Sequence, residues 1–258
     1  YKQTAVVIDA EGDEWVETID RSAALVKEIT LSREQIIERC QQCGLVGMGG
    51  ATFHTHIKLT VPAGKKCDML IINGVECEPY LTSDHRLMLE KGAEVLTGVS
   101  IIMKALGVET AVIGIEANKP DAISQLTELA KDFKGITVQP LKVKYPQGGE
   151  KQLIKACTGR EVPSGGLPVD VGVVVQNVGT SFAVYEAVQK NKPLFERVVT
   201  VTGKSVKNPG NFMVRVGTPV TALIEAAGGM PDDTGKVVNG GPMMGKALAI
   251  TDVPVTKG

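Results

Sequence analysis

A chain of 258 residues with 43% hydrophobic and 22% charged side chains can build a real core in one large or two modest domains. Its 28 basic and 29 acidic residues leave a formal net charge of −1, which argues against a general nucleic-acid binder, because such binding rests on a basic surface. No apolar run approaches the roughly 20 residues of a membrane-crossing helix, so direct membrane insertion is not expected. No secretory leader pattern is present, and the five scattered cysteines do not form a disulfide framework, which points to a reducing compartment.

The chain opens at Tyr1 and runs straight into strand-like residues, as a piece excised from a longer protein would. Alternation predicts two short strands, 4–8 and 15–19, around the turn Glu11-Gly-Asp. Ser32 followed by Gln35 predicts a capped helix over 33–43, ended by Gly44 at the C′ position. Cys40 and Cys43 fall on it at i and i+3, and no second pair follows to complete a tetrahedral metal site. Residues 68–73 form an apolar run, a buried strand. One long helix is predicted over 83–106, then a strand at 109–116, a helix 121–133 opened by Pro120, a strand 136–144 and a helix 150–158. A fourth strand, 171–176, precedes a helix over 180–190. Strands alternating with helices predict an α/β fold with a parallel sheet covered on both faces. Ligands in such sheets sit beyond the carboxyl ends of the strands, where Asn73 and Asn177 fall. After Pro193 the texture becomes β-rich, with strands at 197–203 and 212–216, a helix at 220–227 and Gly240-Gly-Pro-Met-Met-Gly245. That piece reads as a separate small α+β domain.

The chemistry concentrates in loops. Gly44, Gly47, Gly49 and Gly50, with Phe53 and Lys58 close behind, form a candidate cradle for an anionic, flat ligand, or only a tight turn. Their spacing is neither of the two common phosphate fingerprints. Glu76 and Glu78, just past a buried strand with Asn73, could accept bonds from ribitol or ribose hydroxyls, or simply belong to a polar loop. Gly148-Gly149-Glu150 opens a helix, where Glu150 also suits the helix dipole. Pro163-Ser-Gly165-Gly166 is a third glycine loop. Asn177 and Thr180 either cap the following helix or bind a phosphate. Asp84-His85-Arg86 reads as a charged helix start, and His54 and His56 lack a partner set for a metal, so no metal site is expected.

Taken together, six ordered blocks carry a resemblance. They are Gly47-Met-Gly-Gly-Ala-Thr-Phe53, the stretch from Ile72 to Arg86, the stretch from Tyr145 to Gln152, the stretch from Gly159 to Gly166, the stretch from Val174 to Thr180, and Gly240 to Gly245. From about residue 30 to its end the chain resembles the C subunits of the Rnf electron-transport complex, a membrane-associated ferredoxin:NAD oxidoreductase. That family is similar to the NADH-oxidising flavoprotein subunit of respiratory complex I. The resemblance implies a remnant of a barrel-sandwich segment at 1–29, a Rossmann-like FMN- and NADH-binding domain at 30–194, and a β-grasp soluble-ligand-binding domain at 195–258. It implies that Gly47, Gly49 and Gly50 line the flavin and dinucleotide site, with Phe53 stacking on the dinucleotide. Lys58 and Asn73 would contact the flavin, Glu76 and Glu78 would lie near both cofactors, and Asn177 and Thr180 would hold the FMN phosphate. Glu150 corresponds to the second glutamate of the complex I Gly-Glu-Glu-Thr motif.

Three positions depart from that pattern. Gly149 stands in place of the first glutamate, Val75 in place of an aspartate, and His54 in place of a proline. The implied cofactors are FMN and NAD(H), with two 4Fe-4S clusters expected only in a C-terminal region beyond this sequence. The implied partners are the other subunits of a membrane complex and, indirectly, ferredoxin. The implied position is peripheral, on the cytoplasmic face of the inner or plasma membrane of a bacterium. A related flavoprotein that reduces cobalamin, and a scaffold that has lost its cofactor, are the rival readings.

Overall fold

Every residue of β2 (Ala111–Glu116) is buried, as a strand covered by helices on both faces requires. The structure, a computed structural model, describes residue 8 and residues 11–258. Strand β2 lies inside a four-stranded sheet with β1 (Met69–Asn73), β3 (Ile136–Leu141) and β4 (Val173–Asn177), hydrogen-bonded in the order β3-β2-β1-β4. All three pairings are parallel, as the alternation of strands and helices predicts.

One face of the sheet, through Leu70, Ile72, Ile113, Ile115 and Val174, packs in the larger core. That core also takes Ile36 and Cys40 of α1 (Arg33–Gln42), Val95, Val99 and Ile102 of α4 (Gly92–Leu106), Leu126 of α5 (Pro120–Ala130) and Val184 of α7 (Val178–Lys190). The other face, through Ile71, Val173 and Val175, packs on Leu153 and Ile154 of α6 (Glu150–Thr158). Helix α1 starts where Ser32 and Gln35 predict. The Ser32 hydroxyl accepts the Gln35 N–H at 3.3 Å, and the Gln35 amide oxygen accepts the Ser32 N–H at 2.8 Å. It ends with Gly44 at φ +63°.

Two expectations are corrected. The single helix over 83–106 is two helices, α3 (Ser83–Glu90) and α4, broken at Lys91 (φ −129°, ψ 28°). The break lets α5 close in: a Cβ on Gly92 would lie 2.9 Å from a Leu129 methyl. The expected strand at 15–19 does not form, and the expected strand at 4–8 lies outside the described residues except for Ile8. Trp15 instead packs edge-on against Phe195, ring centroids 5.1 Å apart. Residues downstream strap along α7: the Asp20 carboxylate pairs with Lys190 at 2.7 Å, and the Tyr185 hydroxyl accepts the Val26 N–H at 3.2 Å.

Beyond Pro193 the chain forms an antiparallel pair, β5 (Glu196–Val201) with β6 (Gly210–Arg215), then α8 (Val220–Ala226). A second short antiparallel pair follows, β7 (Val238–Asn239) with β8 (Lys246–Ala247).

Helices α4 and α7 touch backbone to backbone. A Cβ on Gly98 would lie 1.9 Å from the Ser181 carbonyl oxygen, so no side chain fits there without separating the helices. Gly98→Val is therefore expected to lower stability by more than about 3 kcal/mol or abolish folding, whereas Gly235→Ala, in open space, is expected to stay within about 0.5 kcal/mol. Urea unfolding midpoints of the two variants check this, and equal midpoints would show that the helices can part.

Candidate functional site

The strand order reverses between β1 and β4. The chain builds β1, β2 and β3 outward in one direction, then returns to lay β4 on the other side of β1. A crevice opens at such a point, outside the carboxyl ends of the strands. Asn73 and Asn177 are register partners at the ends of β1 and β4. Topology alone thus brings two amides together at the place where a ligand would sit.

Asn177 is the N-cap of α7. Its side-chain oxygen accepts the Gly179 N–H at 2.7 Å and the Thr180 N–H at 3.3 Å, satisfying donors that the first helical turn would leave bare. Its Nδ2 donates to Asp84 Oδ2 at 2.7 Å and to the Asn73 carbonyl at 3.4 Å. Asn73 Nδ2 donates to the Gly148 carbonyl at 2.9 Å, tying the second glycine loop to the end of β1.

The first glycine loop is pinched shut. Val46 bridges His54, and the Gly47 N–H donates to the Phe53 carbonyl at 2.7 Å. The Met48 N–H donates to the Thr180 hydroxyl at 3.0 Å, which fastens the loop to α7. A Cβ on Gly49 would stand 3.5 Å from Asn177 Cβ, so the loop lies directly on the cap residue. Gly50 has φ +103° with open space where a side chain would be, and the Phe53 ring is 48% exposed. The loop is thus a turn in its hydrogen bonding and also a wall of the crevice.

Lys58, on α2 (Thr55–Leu59), donates from Nζ to Glu150 Oε1 at 2.7 Å and to the Val175 carbonyl at 2.8 Å. Two of the candidate residues therefore meet as an ion pair at the start of α6, where Gly149 is the cap. The third glycine loop makes its contacts elsewhere, with Lys151 donating to the Pro163 carbonyl at 3.1 Å.

The two glutamates part company. Glu76 has φ +47°, and its carboxylate caps α3 from outside the helix. It accepts the Asp84 N–H at 2.8 Å, the His85 N–H at 3.1 Å and the Ser83 hydroxyl at 3.2 Å. Glu78 reaches the other way. It accepts the Tyr145 hydroxyl at 3.3 Å and, from the second domain, the Met243 N–H at 2.9 Å.

Two residues of the site were not singled out in the sequence. Lys119, buried just before α5, donates from Nζ to the Val75 carbonyl at 2.8 Å and holds the loop after β1. Its position past the carboxyl end of β2 is the signal that marks it. Asp84, read from sequence as part of a charged helix start, turns toward α7. Burial first, then the neighbouring Glu76 charge, push its carboxyl up to about 7, against the pull of the Asn177 bond, Arg197 and Lys119. Nothing in the local sequence shows this, because the burial comes from elements far along the chain.

Cys40 and Cys43 face the core, and burial pushes the Cys40 thiol up to about 12, a packing residue rather than a reactive one. Among the described residues no group of three or more His, Cys, Asp or Glu side chains is arranged to hold a metal. Two clefts, of about 210 Å³ beside Trp15 and Tyr185 and about 410 Å³ beside Met103 and Phe133, are lined by none of the candidate residues.

The crevice suits an anionic group. A Cβ on Gly179 would stand 3.1 Å from Asn177 Oδ1, 3.6 Å from Asp84 Oδ1 and 3.6 Å from Met48 Cβ, so the first turn of this 13-residue helix packs closely under its cap, whereas Gly50 on the facing loop has open space where a side chain would be. Gln176, on β4 just before the cap, is buried and its Nε2 has no partner among the described residues. The dipole at the start of α7 and the open face of the glycine loop at Gly50 suit an anionic group beyond the strand ends.

Comparison with known proteins bears on the same residues. Residues 40–186 match the Nuo51 FMN-binding domain family, and residues 198–247 match the SLBB domain family. The chain is 51% identical over 260 residues to the C subunit of the proton-translocating ferredoxin:NAD(+) oxidoreductase complex of Clostridium ljungdahlii, covering all of this chain and 56% of that protein. It is 46% identical over 255 residues to the Na(+)-translocating counterpart of Acetobacterium woodii, covering 98% of this chain and 57% of that protein. It is also 46% identical over 256 residues to the C subunit of the ion-translocating oxidoreductase complex of Salmonella gallinarum, covering 99% of this chain and 37% of that one. The chain thus spans little more than half the length of the first two relatives. An NAD+-reducing [NiFe]-hydrogenase structure superposes with a TM-score of 0.75 at 24% identity, over 87% of this chain and 44% of that one, which shows a shared fold. With the match covering more than half of its residues, the chain belongs to the Nuo51 FMN-binding domain family, and within that family it is similar to the C subunits of ion-translocating ferredoxin:NAD(+) oxidoreductase complexes.

Proposed function

We propose that this chain holds FMN and NAD(H) at the β1/β4 crevice and moves electrons between them and iron–sulfur clusters that lie outside it. On this reading it is the flavin-bearing part of a membrane-associated ferredoxin:NAD oxidoreductase, peripheral on the cytoplasmic face of a bacterial membrane. The observation that carries it is the pairing of Asn73 and Asn177 at the ends of β1 and β4 with the glycine loop lying on Asn177, inside the span that matches an FMN-binding family. That no helix among the described residues is long and apolar enough to cross a membrane is compatible with a peripheral position. Three units serve this role: a remnant of a preceding segment at 1–29, the cofactor domain at 30–194, and a β-grasp domain at 195–258.

When bound, FMN supplies the exchange between two-electron hydride chemistry and single-electron transfer. The chain's own residues bind and orient. Asn177 and Thr180 would hold the phosphate near the N-terminus of α7, where the helix dipole favours an anion. Asn73 and Lys58 face the flavin, Lys58 aimed by Glu150 and the Val175 carbonyl. Gly47, Gly49 and Gly50 keep the wall thin, and the exposed Phe53 ring offers a stacking surface to the dinucleotide. Gly149 leaves the mouth of α6 without a side chain. Glu76 and Glu78 would lie near both cofactors, Glu76 while capping α3 and Glu78 while bonded to Tyr145 and Met243.

Flavin fluorescence during titration with FMN is expected to show saturable quenching, and no saturation by high-micromolar FMN would defeat the proposal. Gly49→Val is expected to lose FMN binding at least about tenfold while keeping the parent's circular dichroism, because its methyls would press on Asn177. Binding like the parent's would reduce the loop to a turn. In the FMN-loaded chain, anaerobic NADH is expected to bleach the flavin absorbance, yet ferredoxin is expected to be reduced no faster than by free FMN. The five cysteines do not form the run that four-iron clusters use. Stoichiometric iron and sulfide in the purified chain would overturn that last expectation.

A further inference from the structure

Two loops flank the crevice outside β1 and β4, and the second domain holds both. One is the glycine loop, which lies on Asn177. The other follows β1 and leads into α3. On that side Glu78 accepts the Met243 N–H at 2.9 Å. Thr82, just before α3, donates its N–H to the Thr200 hydroxyl of β5 at 3.2 Å, and its own hydroxyl accepts a bond from Asn211 Nδ2 of β6 at 2.9 Å.

On the glycine side the grip comes from the tail of the second domain. Main-chain bonds fix that tail to its own domain: the Val255 N–H donates to the Thr218 carbonyl and the Gly217 N–H to the Val255 carbonyl, both at 2.8 Å. Arg197 of β5 then donates to the Lys257 carbonyl at 2.8 Å. With its backbone held, Lys257 reaches across and donates from Nζ to the Gly44 carbonyl at 2.8 Å. Gly44, at φ +63°, is where α1 ends and the glycine loop begins. Gly258 packs on Thr52 near the loop's far end, so closely that a Cβ on Gly258 would overlap the Thr52 hydroxyl. Thr52 has φ +55°, a left-handed backbone that a β-branched residue adopts only when its surroundings enforce it. The tail thus touches the loop at both ends. Four glycines between residues 44 and 50 make that loop costly to order, and an outside hold offsets the cost.

We propose that the second domain is a brace across the crevice, gripping one loop through Glu78 and Thr82 and the other through Lys257, with Lys257 the positioning residue of the glycine loop. A brace fixes the spacing of two loops only while both ends hold. Cutting one end frees the other loop as well, and cutting the second end afterwards changes the spacing no further. The grip stands on contacts within the chain. Its effect on FMN rests on the reading that this crevice holds the flavin.

The test compares the parent with Lys257→Met, Gly241→Ala and the double variant. Gly241 has no left-handed φ, so alanine fits its backbone, but the added methyl would push the Glu78 carboxylate off the Met243 N–H. Amide hydrogen exchange of the flavin-free chain reads the two sides separately. Lys257→Met is expected to speed exchange at Met243, across the crevice, at least about threefold, and Gly241→Ala to do the same at Met48, whose N–H is held by Thr180. Exchange altered only on the side that carries the substitution would overturn the brace. FMN titration reads the consequence. Each single variant is expected to bind FMN about fivefold more weakly, the double variant no more weakly than the singles, and Lys257→Arg, which keeps the donor, like the parent. Losses that multiply to about 25-fold in the double variant would mean two independent loops and would overturn the inference. Were the parent to bind no FMN, the proposed function would fall while the exchange data still decided the brace. If Gly241→Ala does not fold, exchange at Met243 in Lys257→Met decides alone.

Discussion

The amide of Asn177 is the constraint on which the site depends. One side-chain oxygen caps α7, and one side-chain nitrogen reaches Asp84 and the end of β1. Parallel pairing in register puts Asn177 opposite Asn73, so the strand ends, the helix start and the acidic loop are fixed by a single planar group. Loss of a cap of this kind costs about 1 kcal/mol. Loss of the Asp84 partner adds the larger penalty of an unsatisfied polar group in a low-dielectric site. The glycine loop leans on the same residue, so its position is set by the sheet rather than by its own flexible backbone.

Much of the fold was legible because its signals are local. The Ser32–Gln35 capping box, Gly44 at the end of α1, and the apolar runs of β1, β2 and β4 each declare themselves within a few residues. The failures share a cause. The break at Lys91 falls where α5 packs against Gly92, a contact that no window around residue 91 contains. Trp15 and its neighbours alternate like a strand, yet Trp15 lies against Phe195 and no strand forms there. The site follows the same division. Which residues gather at the crevice was legible from motif order and strand ends. Which way each carboxylate turns was not, because Glu76, Glu78 and Asp84 answer to α3, the second domain and α7 respectively.

The arrangement also shows how acidic residues are accommodated around the strand ends. Glu76 is neutralised in effect by helix N–H donors, Glu150 by Lys58, and Glu116 by the Lys144 N–H at 3.1 Å. Asp84 alone has no such donor beyond one amide, and its carboxyl rises accordingly.

The contact between the domains at Glu78 has a different kind of consequence. On the second-domain side it consists of main chain: the Met243 N–H and the face of Gly241, where a Cβ would lie within 2.1 Å of the carboxylate. The side chains of Met243 and Met244 point to solvent, 56% and 77% exposed. Docking here does not use those two side chains, while a side chain at position 241 would displace the Glu78 carboxylate from the Met243 N–H. A side-chain change at Met243 or Met244 would therefore alter what the loop tip presents to solvent while leaving the main-chain joint to Glu78 in place.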